Sequence, residues 1–266
     1  MTKKLELQKE HILMLSDRGE PKFTESFFPY TSGQIGNYFI QSIAIENNGE
    51  HYAKAIEAIK YLIEEHIGLE NVDAISGGET RDWDFSNPVA VTMRMPHAKL
   101  YKNKKPLGAK IDGRNVVHVA DLNNEGSSMR DFWYPQITNA GGNMKAGIFY
   151  IDRMEDGIKV MEELSLPSYS VIPFDENAWQ ILLDAKRISQ KEYQSLNERL
   201  ENKEEWAHNT LRNNLDNLIS LLESPNTVAK GEKILNVGYP EIREELIGRM
   251  IQKGYNHTFS NKEENK

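Results

Sequence analysis

The chain has no cysteine. Disulfide staples, zinc–thiolate centres and cysteine nucleophiles are therefore excluded, and any chemistry must rest on hydroxyls, carboxylates, histidines and cationic side chains. It also lacks a long apolar run: nothing approaches the roughly 20 residues that a bilayer-spanning helix needs. The opening residues MTKKLELQKEH contain no apolar segment of the secretory kind. Basic charge is in deficit, 32 Lys and Arg against 40 Asp and Glu, for a formal net charge of −8. That balance argues against broad binding to nucleic acid, whose phosphates attract basic surfaces. His97 and His118 are isolated, and neither belongs to an H-E-x-x-H pair. These absences lead us to expect a soluble cytoplasmic protein that engages neither membrane nor nucleic acid.

What is present is ordinary globular composition, 39% hydrophobic and 27% charged over 266 residues. That length suits one large domain, or a core domain with an appendage. Residues 4–17 carry apolar positions at helical spacing, ended by Gly19 and Pro21. A second helical pattern runs from about 50 to 66, with Tyr52, Ile56, Ile59 and Ile63 on one face.

Then the texture alternates. VDAIS (72–76), AKLYK (98–102), VVHVA (116–120), KAGIFYI (145–151) and SYSVI (168–172) read as short buried strands. Helical patterns at about 85–94, 128–139 and 156–164 lie between them. Strands separated by helices imply an α/β fold, a mostly parallel sheet flanked by helices. Ligands of such sheets sit beyond the carboxyl ends of the strands, here just after residues 76, 102, 120 and 151. After residue 174 the chain becomes highly charged, with Tyr193, Leu196, Leu200 and then Leu211, Leu215, Leu218 and Leu222 at helical spacing. We expect a core domain over 1–174 and a helical extension over 175–266, with a last helix opened by Pro240 and stopped near Gly254.

Four loops at the expected strand ends carry chemistry. In SGGETRDW (76–83) two glycines permit a tight turn with free amides, and Thr80 and Arg81 add a hydroxyl and a guanidinium. The segment reads equally as an anion-binding turn or as a plain strand-to-helix turn. LYKNKKPLGAK (100–110) is a solvated charge run, or a mobile loop able to close over a polyanion. In VVHVADLNNEGSSM (116–129), Asp121, Asn123, Glu125 and Gly126 imitate a calcium loop. The twelfth position is Phe132 where a glutamate is required, so calcium is set aside. What remains is a helix start capped by Ser128 with Asp131 three residues on, or a phosphate held at the helix N-terminus by the amides around Gly126 and the two serine hydroxyls. IDRMEDG (151–157) places Asp152 and Arg153 after another strand.

In this order these segments, together with FFPYTSGQIGNYF (27–39), resemble the type I phosphoribosyltransferases, and most of all the orotate phosphoribosyltransferases. The similarity covers roughly residues 22–172. It implies a phosphoribosyltransferase-like α/β domain with an N-terminal helical or hood segment, to which the C-terminal helices are an addition. The implied reaction transfers ribose 5-phosphate from phosphoribosyl diphosphate (PRPP) to a nucleobase, orotate or a related one, with pyrophosphate leaving, a step of pyrimidine nucleotide metabolism. By resemblance Asp121 meets the ribose hydroxyls, and Asn124, Glu125, Gly126, Ser127 and Ser128 hold the 5-phosphate. Gly77, Gly78, Glu79, Thr80 and Arg81 hold pyrophosphate, Lys102 and Lys105 close over it, and Arg153 meets the base. Mg²⁺ is bound through the substrate, near Asp121, with no direct protein ligand. A homodimer is the expected assembly.

The sequence departs from the family pattern where Ala120 replaces an acid, Asn124 and Glu125 replace hydroxyl residues, and Leu107 replaces a loop histidine. A carboxylate a few ångströms from a phosphate dianion costs on the order of several kcal/mol. It must point away, be protonated, or pair with a cation such as Arg130. These departures leave open a non-catalytic PRPP- or nucleotide-binding regulatory protein of the same fold, and an interaction role for the helices of 175–255.

Overall fold

The structure, a computed structural model, describes residues 2–255; the polar tail SNKEENK, which its composition leads us to expect in solvent, lies outside them. In chain order the elements are α1 (Lys3–Ser16), β1 (Lys22–Pro29), β2 (Ile35–Phe39), α2 (Gly49–His66), β3 (Ala74–Gly78), α3 (Asp82–Met93), β4 (His97–Tyr101), β5 (Lys104–Gly108) and β6 (Asn115–Asn123). A π-helical turn, Met129–Trp133, leads into α4 (Tyr134–Asn139), followed by β7 (Asn143–Asp152), α5 (Gly157–Glu163) and β8 (Ser168–Pro173). Among the described residues six further α-helices follow: α6 (Glu176–Asp184), α7 (Gln190–Glu201), α8 (Lys203–Asn213), α9 (Leu215–Glu223), α10 (Val228–Lys233) and α11 (Arg243–Gln252).

These elements form two compact units. One comprises residues up to Pro21 with Ile40–Tyr193, the other Lys22–Phe39 with residues from Gln194 onward. The first unit holds a six-stranded sheet in the order β5-β4-β3-β6-β7-β8. Its pairs are parallel except β4 with β5, which are antiparallel. Both faces are covered, which is why β6 reads as a nearly unbroken apolar run, with Val116, Val117 and Val119 fully buried. Consecutive residues of a strand point to opposite faces, and β3 shows what covers each. A Cβ on Gly77 would meet Ser86 of α3, and one on Gly78 would meet Trp133. Helices α1 and α2 complete the face over β7 and β8.

In the second unit the hairpin β1–β2 packs its Phe27 and Ile35 into an apolar cluster with Trp206, Leu211, Leu215, Leu218, Leu222, Leu246 and Met250. Buried backbone needs partners. The Ile35 N–H donates to the Tyr239 hydroxyl, and that hydroxyl donates to Gln34 Oε1, both at 3.1 Å.

The mostly parallel sheet with flanking helices is as expected, but several details differ. The division of the chain is not at residue 174. The leucine ladder of α8 and α9 buries itself against the hairpin, so 22–39, distant in sequence, joins the helices, while 175–193 stay with the sheet unit. That ladder is also not one helix, since it breaks at Asn214, between α8 and α9. Residues 104–108, read as a solvated charge run or a mobile loop, are strand β5. Pro240 opens a 3₁₀ turn, and the last helix starts at Arg243.

Gly238 lies against the hairpin so closely that an added Cβ would stand 2.1 Å from the Gly33 carbonyl oxygen, a backbone atom that cannot swing aside. Gly238→Ala is therefore expected to destabilise the helical unit by about 1–3 kcal/mol, read as a lower urea midpoint of its unfolding. An unchanged midpoint would show that the hairpin contact is not a stabilising one.

Candidate functional site

The parallel strands bring three loops side by side at the carboxyl edge of the sheet. Gly78 ends β3, Asn123 ends β6 opposite Asp152 of β7, and β3 pairs directly with β6. Residues 79–81, 124–128 and 153–156 thus become neighbours because of the strand order, as the expected strand-end positions require.

The turn after β3 is short. Thr80 and Arg81 are exposed, and the Glu79–Thr80 peptide bond is cis. Gly77 and Gly78 prove not to be turn residues. Both lie in β3 and are buried, and the Gly78 N–H is donated to Asp82 Oδ2 at 3.0 Å, so it is not free for an anion. Their lack of a side chain is demanded by close packing: a Cβ on Gly78 would sit 2.3 Å from the Trp133 ring. Glu79 also departs from the expected role, since its carboxylate accepts the Lys102 backbone N–H at 2.7 Å and ties the turn to the β4–β5 hairpin. Lys102 lies in that hairpin's turn with its ammonium 5.3 Å from the Phe132 ring centre, and Lys105 is exposed on β5. Leu107 is exposed as well.

Asp121, at the end of β6, is buried. Its Oδ2 accepts a 2.5 Å hydrogen bond from Ser42, and its backbone N–H donates to Asp82 Oδ1 at 3.3 Å. Burial first, and then the neighbouring Asp82 charge, push its carboxyl up to about 7, against the opposing effects of Ser42 and Arg81. Neither Ser42 nor Asp82 figures in the motif reading. Asp82 had a signal, an acid at the first position of a helix beside a glycine-rich strand end, whereas Ser42 is 79 residues from its partner. Below Asp121, Ala120 belongs to the apolar cluster that includes Trp133 and Phe149, so an acid there would be placed among hydrocarbon.

Beyond Asn123 the chain turns at Gly126, whose φ of +69° is a left-handed conformation that side chains rarely adopt. A Cβ there would meet Val160 at 2.7 Å. The helix begins at Ser127, so Ser128 is already helical and makes no capping hydrogen bond; the expected capping box is absent, and Asp131 instead binds Arg130 at 2.8 Å. Ser127 is exposed and Ser128 half-buried. The N–H groups of a helix's first turn have no intrahelical partner. The Asn124 backbone carbonyl accepts the Gly157 N–H at 2.7 Å. Glu125 is half-buried, and among the described residues no hydrogen bond or ion pair engages its carboxylate.

After β7, Asp152 accepts Asn123 Nδ2 at 2.9 Å and the Met154 N–H at 2.7 Å, and burial raises its carboxyl above the usual range. Arg153 is buried and pairs with Glu155 at 3.2 Å, so a carboxylate already meets the guanidinium expected to bind the base. His118 fits the plain reading of a strand histidine, with Nδ1 3.1 Å from Ser76 Oγ. His97 is bonded to Ser86 at 2.9 Å, and burial lowers it to about 4.

The arrangement suits an extended polyanion: amides and a guanidinium at 79–81, an acid at 121, and a helix start at 126–128. No family model matches the chain. It is 23% identical over 155 residues to an orotate phosphoribosyltransferase of Sulfolobus acidocaldarius, a match that spans 56% of this chain and 76% of that one. To the orotate phosphoribosyltransferase of Roseobacter denitrificans it is 29% identical over 145 residues, 51% of this chain and 62%, under two thirds, of the relative. Among solved structures, the orotate phosphoribosyltransferase of Francisella tularensis superposes with a TM-score of 0.60 at 16% identity, covering 72% of this chain and 98% of that one. This last likeness is one of fold.

The raised Asp121 carboxyl has a consequence for stability. Its folded value of about 7 lies above the unfolded value of about 3.9. The folded state therefore holds the proton more tightly, and its stabilising effect is lost as pH rises through that interval. The Tm advantage of Asp121→Asn over wild type is expected to be larger at pH 8 than at pH 5 by roughly 4 °C or more, because wild type loses stability across that range. A difference in Tm that stays constant from pH 5 to 8 would contradict the raised value.

Proposed function

Taking the chain as one of type I phosphoribosyltransferase fold, most like the orotate phosphoribosyltransferases, we propose that it is a pentosyltransferase, moving ribose 5-phosphate from PRPP to a nucleobase with release of pyrophosphate. The observation that carries this reading is the convergence of the 79–81 turn, Asp121 and the Gly126 turn on one edge of the sheet.

In the reaction the anomeric C–O bond to diphosphate breaks, its electron pair leaving with diphosphate, and a base nitrogen lone pair forms the new C–N bond. Positive charge develops at the anomeric carbon while negative charge gathers on the leaving group, and fixed donors aimed at the latter lower the barrier. In this reading Thr80 and Arg81, both exposed, receive the diphosphate, and Lys102 and Lys105 of the hairpin, exposed as well, add positive charge to it. The amides of residues 126–128 take the 5-phosphate, and the carboxyl of Asp121 takes the ribose hydroxyls. Mg²⁺ supplies charge neutralisation on the diphosphate when bound. The residues fit a hard cation held mainly through substrate oxygens and water: Asp82 and Asp121 lie side by side and both are occupied by hydrogen bonds, so they offer outer contacts and no ready-made cage.

The buried Arg153–Glu155 pair bears on the base. An acidic base such as orotate must displace Glu155 from Arg153 or meet a guanidinium whose charge is already matched. A base without a carboxylate meets no such competition. We therefore place the base preference on Glu155.

The test is Mg²⁺-dependent pyrophosphate release from PRPP with a panel of orotate, uracil and purines. Wild type should release pyrophosphate with at least one base. Glu155→Gln, which removes the charge paired with Arg153, should shift the ratio of kcat/KM for orotate over uracil upward by about ten-fold or more. No release with any base, while calorimetry still records PRPP binding, would favour a regulatory binding protein of the same fold. An unchanged ratio would remove Glu155 from base choice.

A further inference from the structure

The three-residue turn 79–81 is held at both ends by a single side chain. Asp82, the first residue of α3, is buried, with its side chain 11% exposed. Oδ2 accepts the Gly78 N–H at 3.0 Å and closes the turn on itself, from the residue before it to the residue after it. Oδ1 accepts the Asp121 N–H at 3.3 Å, across to the neighbouring strand. His118 Nε2 stands 3.7 Å from Oδ2, and the other nitrogen of that ring is fixed by Ser76 at 3.1 Å. A buried carboxylate is costly unless its oxygens are satisfied, and here each oxygen has a backbone donor. Asparagine could satisfy only one of them, because its NH₂ group would face an N–H.

We propose that Asp82 is a positioning residue that locks the diphosphate-side turn to the ribose-side strand, so that Arg81 and Asp121 are presented to one ligand in fixed register. The inference rests on the reading of the site as a PRPP site, and it goes beyond that reading by assigning the register to a residue that need not touch substrate. The close fit supports it: a Cβ on Gly78 would lie 2.7 Å from Asp82 Oδ2, so the carboxylate reaches the backbone only because residue 78 is glycine. Glutamate, one methylene longer, cannot make both bonds in the same space.

The experiment compares wild type and Asp82→Asn by calorimetry with Mg²⁺-PRPP and Mg²⁺-pyrophosphate, by steady-state kinetics, and by amide hydrogen exchange at Gly78 and Asp121. Affinity for both phosphate ligands should fall about ten-fold or more, the loss expected for a charge-assisted hydrogen bond. KM for PRPP should rise while KM for the base holds, a split that general destabilisation does not produce. The Gly78 and Asp121 amides should exchange faster in the variant than their strand neighbours do. A folded Asp82→Asn protein with wild-type affinity and unchanged exchange would overturn the proposal. If Asp82→Asn does not fold, Asp82→Ser, which keeps one acceptor in less volume, is read in the same way. If wild type binds neither phosphate ligand, the PRPP reading falls, and unchanged exchange at Gly78 and Asp121 still overturns the locking role.

Discussion

The parallel pairing of β3 with β6, and of β6 with β7, is the constraint on which the rest of the site depends. Ladder hydrogen bonds along Ala74–Ser76 and Val116–His118 set the register to the residue. That register delivers Gly78 and Asp121 to the same edge, within reach of one carboxylate. A one-residue slip would turn every side chain to the other face. Asp121 would then enter the apolar layer that holds Trp133, and Ala120 would face the site. The glycines of β3 follow from the same constraint. Helix α3 on one face and Trp133 on the other approach the strand so closely that neither Gly77 nor Gly78 can carry a Cβ.

A second constraint is charge. The chain is acidic, and the edge that would receive a polyanion contains Glu79, Asp82, Asp121 and Glu125. Three of these four are engaged by the fold. Glu79 accepts a backbone N–H, Asp82 accepts two, and Asp121 takes the Ser42 hydrogen bond with its carboxyl held up to about 7. Hydrogen bonds from fixed donors offset part of the field these groups would otherwise present. Arg81 adds a guanidinium among them that forms no ion pair in the described residues. Carboxylates with such partners can sit beside a diphosphate without dominating it.

Much of the sheet unit was legible in the sequence because its strands are buried on both faces and separated by helices with clear apolar spacing. The order of the loops was legible for the same reason. What misled was residue chemistry with two physical explanations. Glycine at 77 and 78 serves either a turn or close packing, and only the position of Trp133 and Ser86 decides. Ser128 with Asp131 has the spacing of a capping box, yet Gly126 turns the chain earlier and Arg130 takes the aspartate. Residues 27–39 of the hairpin were read as a family segment and not as strands, because the pairing is irregular between Phe23 and Phe28 and the partners lie more than 150 residues away. Ser42 has no local signal at all, since its role exists only once the chain brings it to Asp121.

Glu125 is where local and electrostatic requirements conflict. Of the three ways to relieve a carboxylate beside a phosphate, pairing with Arg130 is not the one in place, since that guanidinium is bound to Asp131 at 2.8 Å. Turning away remains open to it. Glu125 is half-buried, and no described residue holds its carboxylate. Fixing a glutamate rotamer costs at most about 1–2 kcal/mol, whereas leaving the charge a few ångströms from a phosphate dianion costs on the order of several. Rotation to solvent is therefore the cheaper response when an anion arrives. Gly126 makes that response local: its left-handed backbone, with Val160 packed where a Cβ would be, fixes the amides of the turn independently of residue 125. On the proposed reading the phosphate cradle is thus a property of the backbone at 126–128, and the side chain before it tunes affinity without defining the site.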